Sequence, residues 1–164
     1  MKALSLAVAI IIQSIVVIQI PVFAHTELHG EEEPEHEQVV TDFGGFHSAL
    51  VPTRTIEVKM YDSMKFEPSV IDVKANETIK FLVFNSGELD HEFMFGTQEV
   101  VTAHAELMKT HPNIPHEDPF MIHLKSNEVG YLVWQFSSPG TFPFACLIPG
   151  HYDAGMKGSI GVGK

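Results

Sequence analysis

From Arg54 onward the chain reads as short runs of alternating apolar and polar positions separated by turn residues. Thr55-Ile56-Glu57-Val58-Lys59-Met60 alternates with the period of two that a half-buried strand requires. Residues 69–74 repeat the pattern and residues 78–84 extend it. Asn85-Ser86-Gly87 then interrupts as a turn before His91-Glu92-Phe93-Met94-Phe95. Further runs cover residues 131–136, 141–146 and 157–162, with Ser138-Pro139-Gly140 turning between the first two. Strands this short, broken by Gly, Pro and Asn, predict an all-β antiparallel Greek-key sandwich or barrel of about eight strands. Phe93, Phe95, Trp134, Phe136, Phe142 and Phe144 fall on alternating positions and are assigned to its core.

One segment departs from that period. Thr97 is placed to cap a helix running to about Lys109, with Val100, Val101, His104, Leu107 and Met108 at helical spacing. Pro112 ends it, and Pro115 and Pro119 keep the next loop irregular. The helix is read as an insertion between strands, not a second domain.

The first residues follow a different pattern. Lys2 precedes an apolar run over residues 3–20, then Pro21-Val22-Phe23-Ala24, the layout of a cleaved secretory signal. The alternative is a retained anchor, since eighteen helical residues span about 27 Å. Gln13, Ser14, Gln19 and the helix-breaking Pro21 favour cleavage after Ala24. The expected organisation is a signal over residues 1–24, an acidic His-containing leader over 25–50, and one domain over 51–164. The leader run His29-Gly30-Glu31-Glu32-Glu33-Pro34-Glu35-His36-Glu37 is too charged to bury a face. Its histidines, His25, His29, His36 and His47, are read as solvated, with a weak metal-collecting arm as the alternative.

Charge narrows the partners. The chain has 10 Lys and Arg against 21 Asp and Glu, a formal net charge of −11, and cleavage would remove Lys2 alone among the charged residues. Nucleic acid is excluded because phosphate binding needs basic clusters. An acidic surface favours cations or a basic protein partner. Export also makes the single cysteine, Cys146, informative, because oxidising compartments usually pair cysteines.

The neighbours of Cys146 say how it is used. In Phe144-Ala145-Cys146-Leu147-Ile148-Pro149-Gly150-His151-Tyr152-Asp153-Ala154-Gly155-Met156, one loop offers a thiolate, an imidazole and a thioether. Two soft sulfurs and an imidazole suit copper better than calcium or magnesium. Zinc stays chemically open, although structural zinc sites favour paired cysteines. The missing ligand is assigned to His91, which opens a strand after a turn. His91, Cys146 and His151 would form a trigonal plane with Met156 as the weak axial ligand, a geometry suited to electron transfer. His104, Met108 and His111 share one helix face. They are read as exposed helix residues, with a secondary copper site, extended by His116, Met121 and His123, as the alternative.

This ligand order resembles the cupredoxins, the type 1 copper proteins that include plastocyanin, pseudoazurin and azurin. The likeness covers about residues 54–162: His91 at a strand start, then Cys146-x4-His151-x4-Met156 with Pro149-Gly150 before the second His. Within the family it is most like the periplasmic copper-resistance cupredoxins, in its His-containing leader, its inserted helix and the ending from Phe144 to Gly158. Two features depart from many small electron carriers: four residues instead of two separate Cys146 from His151, and Glu92 stands where Asn commonly follows the first His. The resemblance implies a periplasmic, non-enzymatic protein with one copper ion, serving copper tolerance, with redox cycling as its means. The alternative is a soluble electron carrier for a basic periplasmic redox protein, without stable membrane association after signal cleavage. A multicopper-oxidase fragment is excluded by the lack of paired His-x-His motifs.

Overall fold

The computed structural model describes residues 38–112 and 118–164. The signal segment, the acidic run with His25, His29 and His36, and His116 lie outside them.

Two sheets make the fold. The first has strand order β1-β2-β9-β6-β3-β4, and the second β5-β11-β10-β7-β8. The strands are β1 (Gln38–Thr41), β2 (Gly44–His47), β3 (Arg54–Tyr61), β4 (Lys65–Glu67), β5 (Val70–Lys74), β6 (Thr78–Asn85), β7 (His91–Phe95), β8 (Met121–Leu124), β9 (Val129–Phe136), β10 (Gly140–Ala145) and β11 (Lys157–Gly163). Most pairs are antiparallel, but β3 runs parallel to β6 and β5 to β11. Such crossings between non-sequential strands are what a Greek-key sandwich requires.

The alternation predicted from sequence sets which residues meet between the sheets. Phe93, Phe95, Trp134, Phe136, Phe142 and Phe144 are all buried, joined by Val58, Met60, Phe66, Phe81 and Ile160. The rings meet mainly edge-on or tilted: Phe66 and Phe144 lie 5.1 Å apart at 84°, and Phe93 and Phe144 5.2 Å apart at 56°. Edge-to-face packing of this kind adds about 0.5–1.5 kcal/mol per pair beyond the area buried.

Strand β7 is buried at all five positions, because both of its faces are covered. Phe93 and Phe95 face the inter-sheet core, while Met94 faces the inserted helix α1 (Gln98–Thr110). Thr97 caps α1 as expected, its Oγ1 accepting a hydrogen bond from the Val100 amide at 3.3 Å. The helix packs Val101 and Met108 onto Met94, Met121, Ala145 and Leu147, forming a second small core outside the sheet.

Three expectations change. Residues 38–47, assigned to the leader, form the β1–β2 hairpin, and β2 pairs with β9. Phe43, between its strands, is 1 % exposed and stacks on Trp134 at 5.1 Å, so one aromatic anchors a segment too short to show a period. The strand count is eleven among the described residues, because β1, β2, β4 and β8 have only three or four residues each. Finally, His104 and Met108 are buried, not exposed, because α1 lies on the sheet through that face; His111 alone of the three is exposed.

Candidate metal centre

His91, Cys146 and His151 come together at one end of the second sheet. One ligand atom from each lies within 4.8 Å of the other two, the only such grouping of His, Cys, Asp and Glu among the described residues. Sγ of Cys146 is 3.2 Å from Nδ1 of His151, and the two imidazole centroids are 5.1 Å apart. His91 and Cys146 are fully buried, and His151 is half-buried.

The strand side of this cluster is held by side chains from elsewhere. His91 opens β7, and its Nε2 lies 3.0 Å from Oδ1 of Asp62 in the β3–β4 turn. That leaves His91 Nδ1 as a buried nitrogen with no hydrogen-bond partner. A carboxylate on the far nitrogen fixes ring orientation and tautomer, the arrangement common behind metal-bound histidines. Asp62 is itself fixed by the amides of Glu88 and Leu89, at 2.8 and 3.2 Å. The Glu88 amide is the chief reason that its carboxyl titrates below the usual range. No sequence signal marked Asp62, since an Asp in a turn after a strand ordinarily means only the turn.

The loop side is held by its own backbone. The His151 amide donates to the Ile148 carbonyl, the Met156 amide to the His151 carbonyl, and the Cys146 amide to the Met156 carbonyl, at 3.0, 3.0 and 3.1 Å. Gly150 and Gly155 take φ of +91° and +105°, a region L-residues avoid, which lets eleven residues fold back so tightly. The closure places Met156, fully buried, beside the strand end that bears Cys146.

Glu92 resolves the departure at the position after His91. Its amide donates to Cys146 Sγ at 3.3 Å, so the thiol has a hydrogen bond without an Asn side chain. Its carboxylate points the other way and is fully buried, with Oε1 3.3 Å from His104 Nε2 and Oε2 3.1 Å from His123 Nε2. Burial pushes the Glu92 carboxyl up, but the two imidazoles outweigh it and hold it below the usual range. The Glu92 carboxylate beside it in turn raises His123. His104 is thus committed to Glu92 while Met108 packs in the small core. His111 contacts Thr110 at 2.8 Å, Met121 is buried in β8, and His47 lies in β2.

Electrostatically the cluster is a site for a bound cation. Desolvation pushes the metal-free Cys146 thiol up to about 12, so the lone chain keeps it protonated. Burial, then the nearby His91, pulls His151 down, leaving its imidazole neutral and able to donate a lone pair. A thiol and two imidazoles, one of them with a buried nitrogen that has no hydrogen-bond partner, fit a soft or borderline metal and not a hard one.

Comparison with known proteins points to copper. Residues 53–163 match the family described as copper binding proteins, plastocyanin/azurin family. The chain is 42 % identical over 120 residues to the copper-resistant cuproprotein CopI of Rubrivivax gelatinosus, covering 73 % of each chain. It is 30 % identical over 138 residues to the CopI of Vibrio cholerae, covering 80 % of this chain and 82 % of that one. Among solved structures, auracyanin B superposes with a TM-score of 0.61 at 24 % identity, over 79 % of this chain and 96 % of that one.

Proposed function

Because the chain belongs to the plastocyanin/azurin family of copper-binding proteins, we propose that it is a periplasmic copper-tolerance protein holding one type 1 copper through His91, Cys146, His151 and Met156. The observation that carries the ligand assignment is the convergence of one donor atom each from His91, Cys146 and His151 within 4.8 Å, with Nδ1 of His91 buried and without a hydrogen-bond partner. His91, Cys146 and His151 would hold the copper as strong donors and Met156 as a weak one. Copper bound there supplies a one-electron couple, and the protein residues hold the donors in a single arrangement for both oxidation states. Four protein ligands leave no open position for substrate, which supports a binding or redox role over an enzymatic one.

Copper tolerance is favoured by the relatives called copper-resistant and by the acidic chain, which attracts cations. The apolar run over residues 3–20 supports export with cleavage after Ala24. The second reading, an electron carrier, is favoured by half-buried His151, whose ring gives a basic redox partner an edge close to the metal.

Titration of the purified protein with copper is expected to give an intense thiolate-to-copper charge-transfer band at one equivalent, absent in Cys146→Ala; a wild-type protein without the band refutes the ligand assignment. Cells lacking the gene are expected to lose copper tolerance. Unchanged tolerance with impaired respiration selects the carrier instead. Mass spectrometry of the exported protein is expected to find His25 at its N-terminus.

A further inference from the structure

A carboxylate with no solvent exposure is costly to bury unless it is paired. Glu92 is such a group, and the fold brings two separate elements to it. His123 comes from β8, directly opposite Glu92 in the antiparallel register. His104 comes from α1, the helix inserted between β7 and β8, and is itself only 8 % exposed. One imidazole nitrogen stands at ion-pair distance from each carboxylate oxygen, 3.3 and 3.1 Å away, so the three groups form a clamp along the carboxylate. They do not converge as a second metal site: the sole converging set among the described residues is His91, Cys146 and His151.

The residue so clamped lies next to the metal centre in two ways. It follows His91 directly, and its amide is the donor to Cys146 Sγ. Rotation or displacement of the Glu92 peptide would therefore shift the first imidazole and lengthen the hydrogen bond to sulfur. Hydrogen bonding at the sulfur is one of the levers that tune a copper–thiolate bond.

We propose that His104 and His123 are positioning residues for the copper centre. By gripping the Glu92 carboxylate they fix the β7 backbone that presents His91 and bonds Cys146, so the inserted helix sets copper affinity and the energy of the thiolate–copper transition. The inference rests on the assignment of His91 and Cys146 as copper ligands.

Glu92→Ala would leave two imidazoles facing a buried void, so the test uses gentler changes in the full chain. His123→Ala removes the half-exposed arm, Glu92→Gln keeps shape without charge, and His123→Gln restores a side-chain donor. Three properties are measured: copper affinity by chelator competition, the position of the charge-transfer band, and the rate at which a disulfide reagent labels Cys146 in the copper-free protein. His123→Ala and Glu92→Gln are expected to weaken copper binding about tenfold or more and to shift the band. Both are expected to speed labelling roughly threefold or more through local opening. His123→Gln is expected to recover most of the wild-type values. A lower unfolding temperature with wild-type affinity, band and labelling rate overturns the proposal, since the clamp would then only stabilise the fold. Absence of the band from the wild-type chain refutes instead the ligand assignment beneath it.

Discussion

His91 and His151 reach the same centre from regions built on opposite plans. β7, which carries His91, is buried at every position between the inter-sheet core and α1. The loop from Cys146 to Met156 is open to solvent at Pro149, Gly150, Asp153, Ala154 and Gly155, and is held by hydrogen bonds within its own backbone. The first donor is therefore positioned by the whole sandwich, at no local cost beyond that of folding. The other donors are positioned by a short circuit of turns pinned to the two cores at Cys146, Leu147 and Met156. Of the four residues between Cys146 and His151, Leu147 is packed in the small core and Ile148 against the main one, so the length of the loop is accommodated at exposed Pro149 and Gly150.

That contrast can be broken from either side, and the effects are expected to differ in size. Phe93→Ala empties a site on β7 that touches the rings of Phe66, Phe81, Phe95 and Phe144. It should cost about 3–5 kcal/mol in unfolding free energy, measured by denaturant titration of the copper-free protein. A much smaller loss would mean that β7 is less firmly built than its burial implies. Asp62→Ala leaves the core intact but frees the His91 ring, and a 10–100-fold loss of copper affinity is expected by chelator competition. An affinity within twofold of wild type would show that the strand alone orients His91.

On the loop side the expected effects are smaller. Gly155→Ala places a Cβ in open space but at a φ of +105°, so only backbone strain is added, about 1–2 kcal/mol. That strain should appear as a lower melting temperature of the copper-free protein, with copper binding weakened only as far as the loop relaxes from its closed form. The smallest effect is expected far from either region. Arg54 pairs with Glu77 at 2.9 Å on the surface, and Arg54→Ala should cost about 0.5 kcal/mol. Glu77 titrates below its usual value, chiefly through the Lys74 amide and then through Arg54. Its contribution is therefore present at neutral pH and lost as acid protonates it, so the Arg54→Ala difference should vanish in acid. Urea unfolding of both proteins at neutral and acid pH checks it and gives the floor against which the site variants are read.

The parts legible in sequence were those written in local repeats. Period-two alternation marked seven strands and the core aromatics, and Thr97 with helical spacing marked α1. The hairpin of residues 38–47 escaped because four-residue strands carry no measurable period, and the charged run before it set the tone of the segment. His104 and Met108 were misread as exposed because a single helix face does not say which sheet will cover it.

The same division runs through the metal centre. Sequence alone put the candidate donors Cys146, His151 and Met156 within eleven residues, a spacing that encodes one compact loop. It also marked His91 by its place at a strand start. Only the tertiary structure decided what stands behind those donors. Asp62 reaches His91 across the β3–β4 turn, and Glu92 meets His104 and His123 through the folding of α1 and β8 onto β7. These groups are joined by strand register and packing, which depend on contacts distant in the chain, and no local pattern of residue types records such contacts.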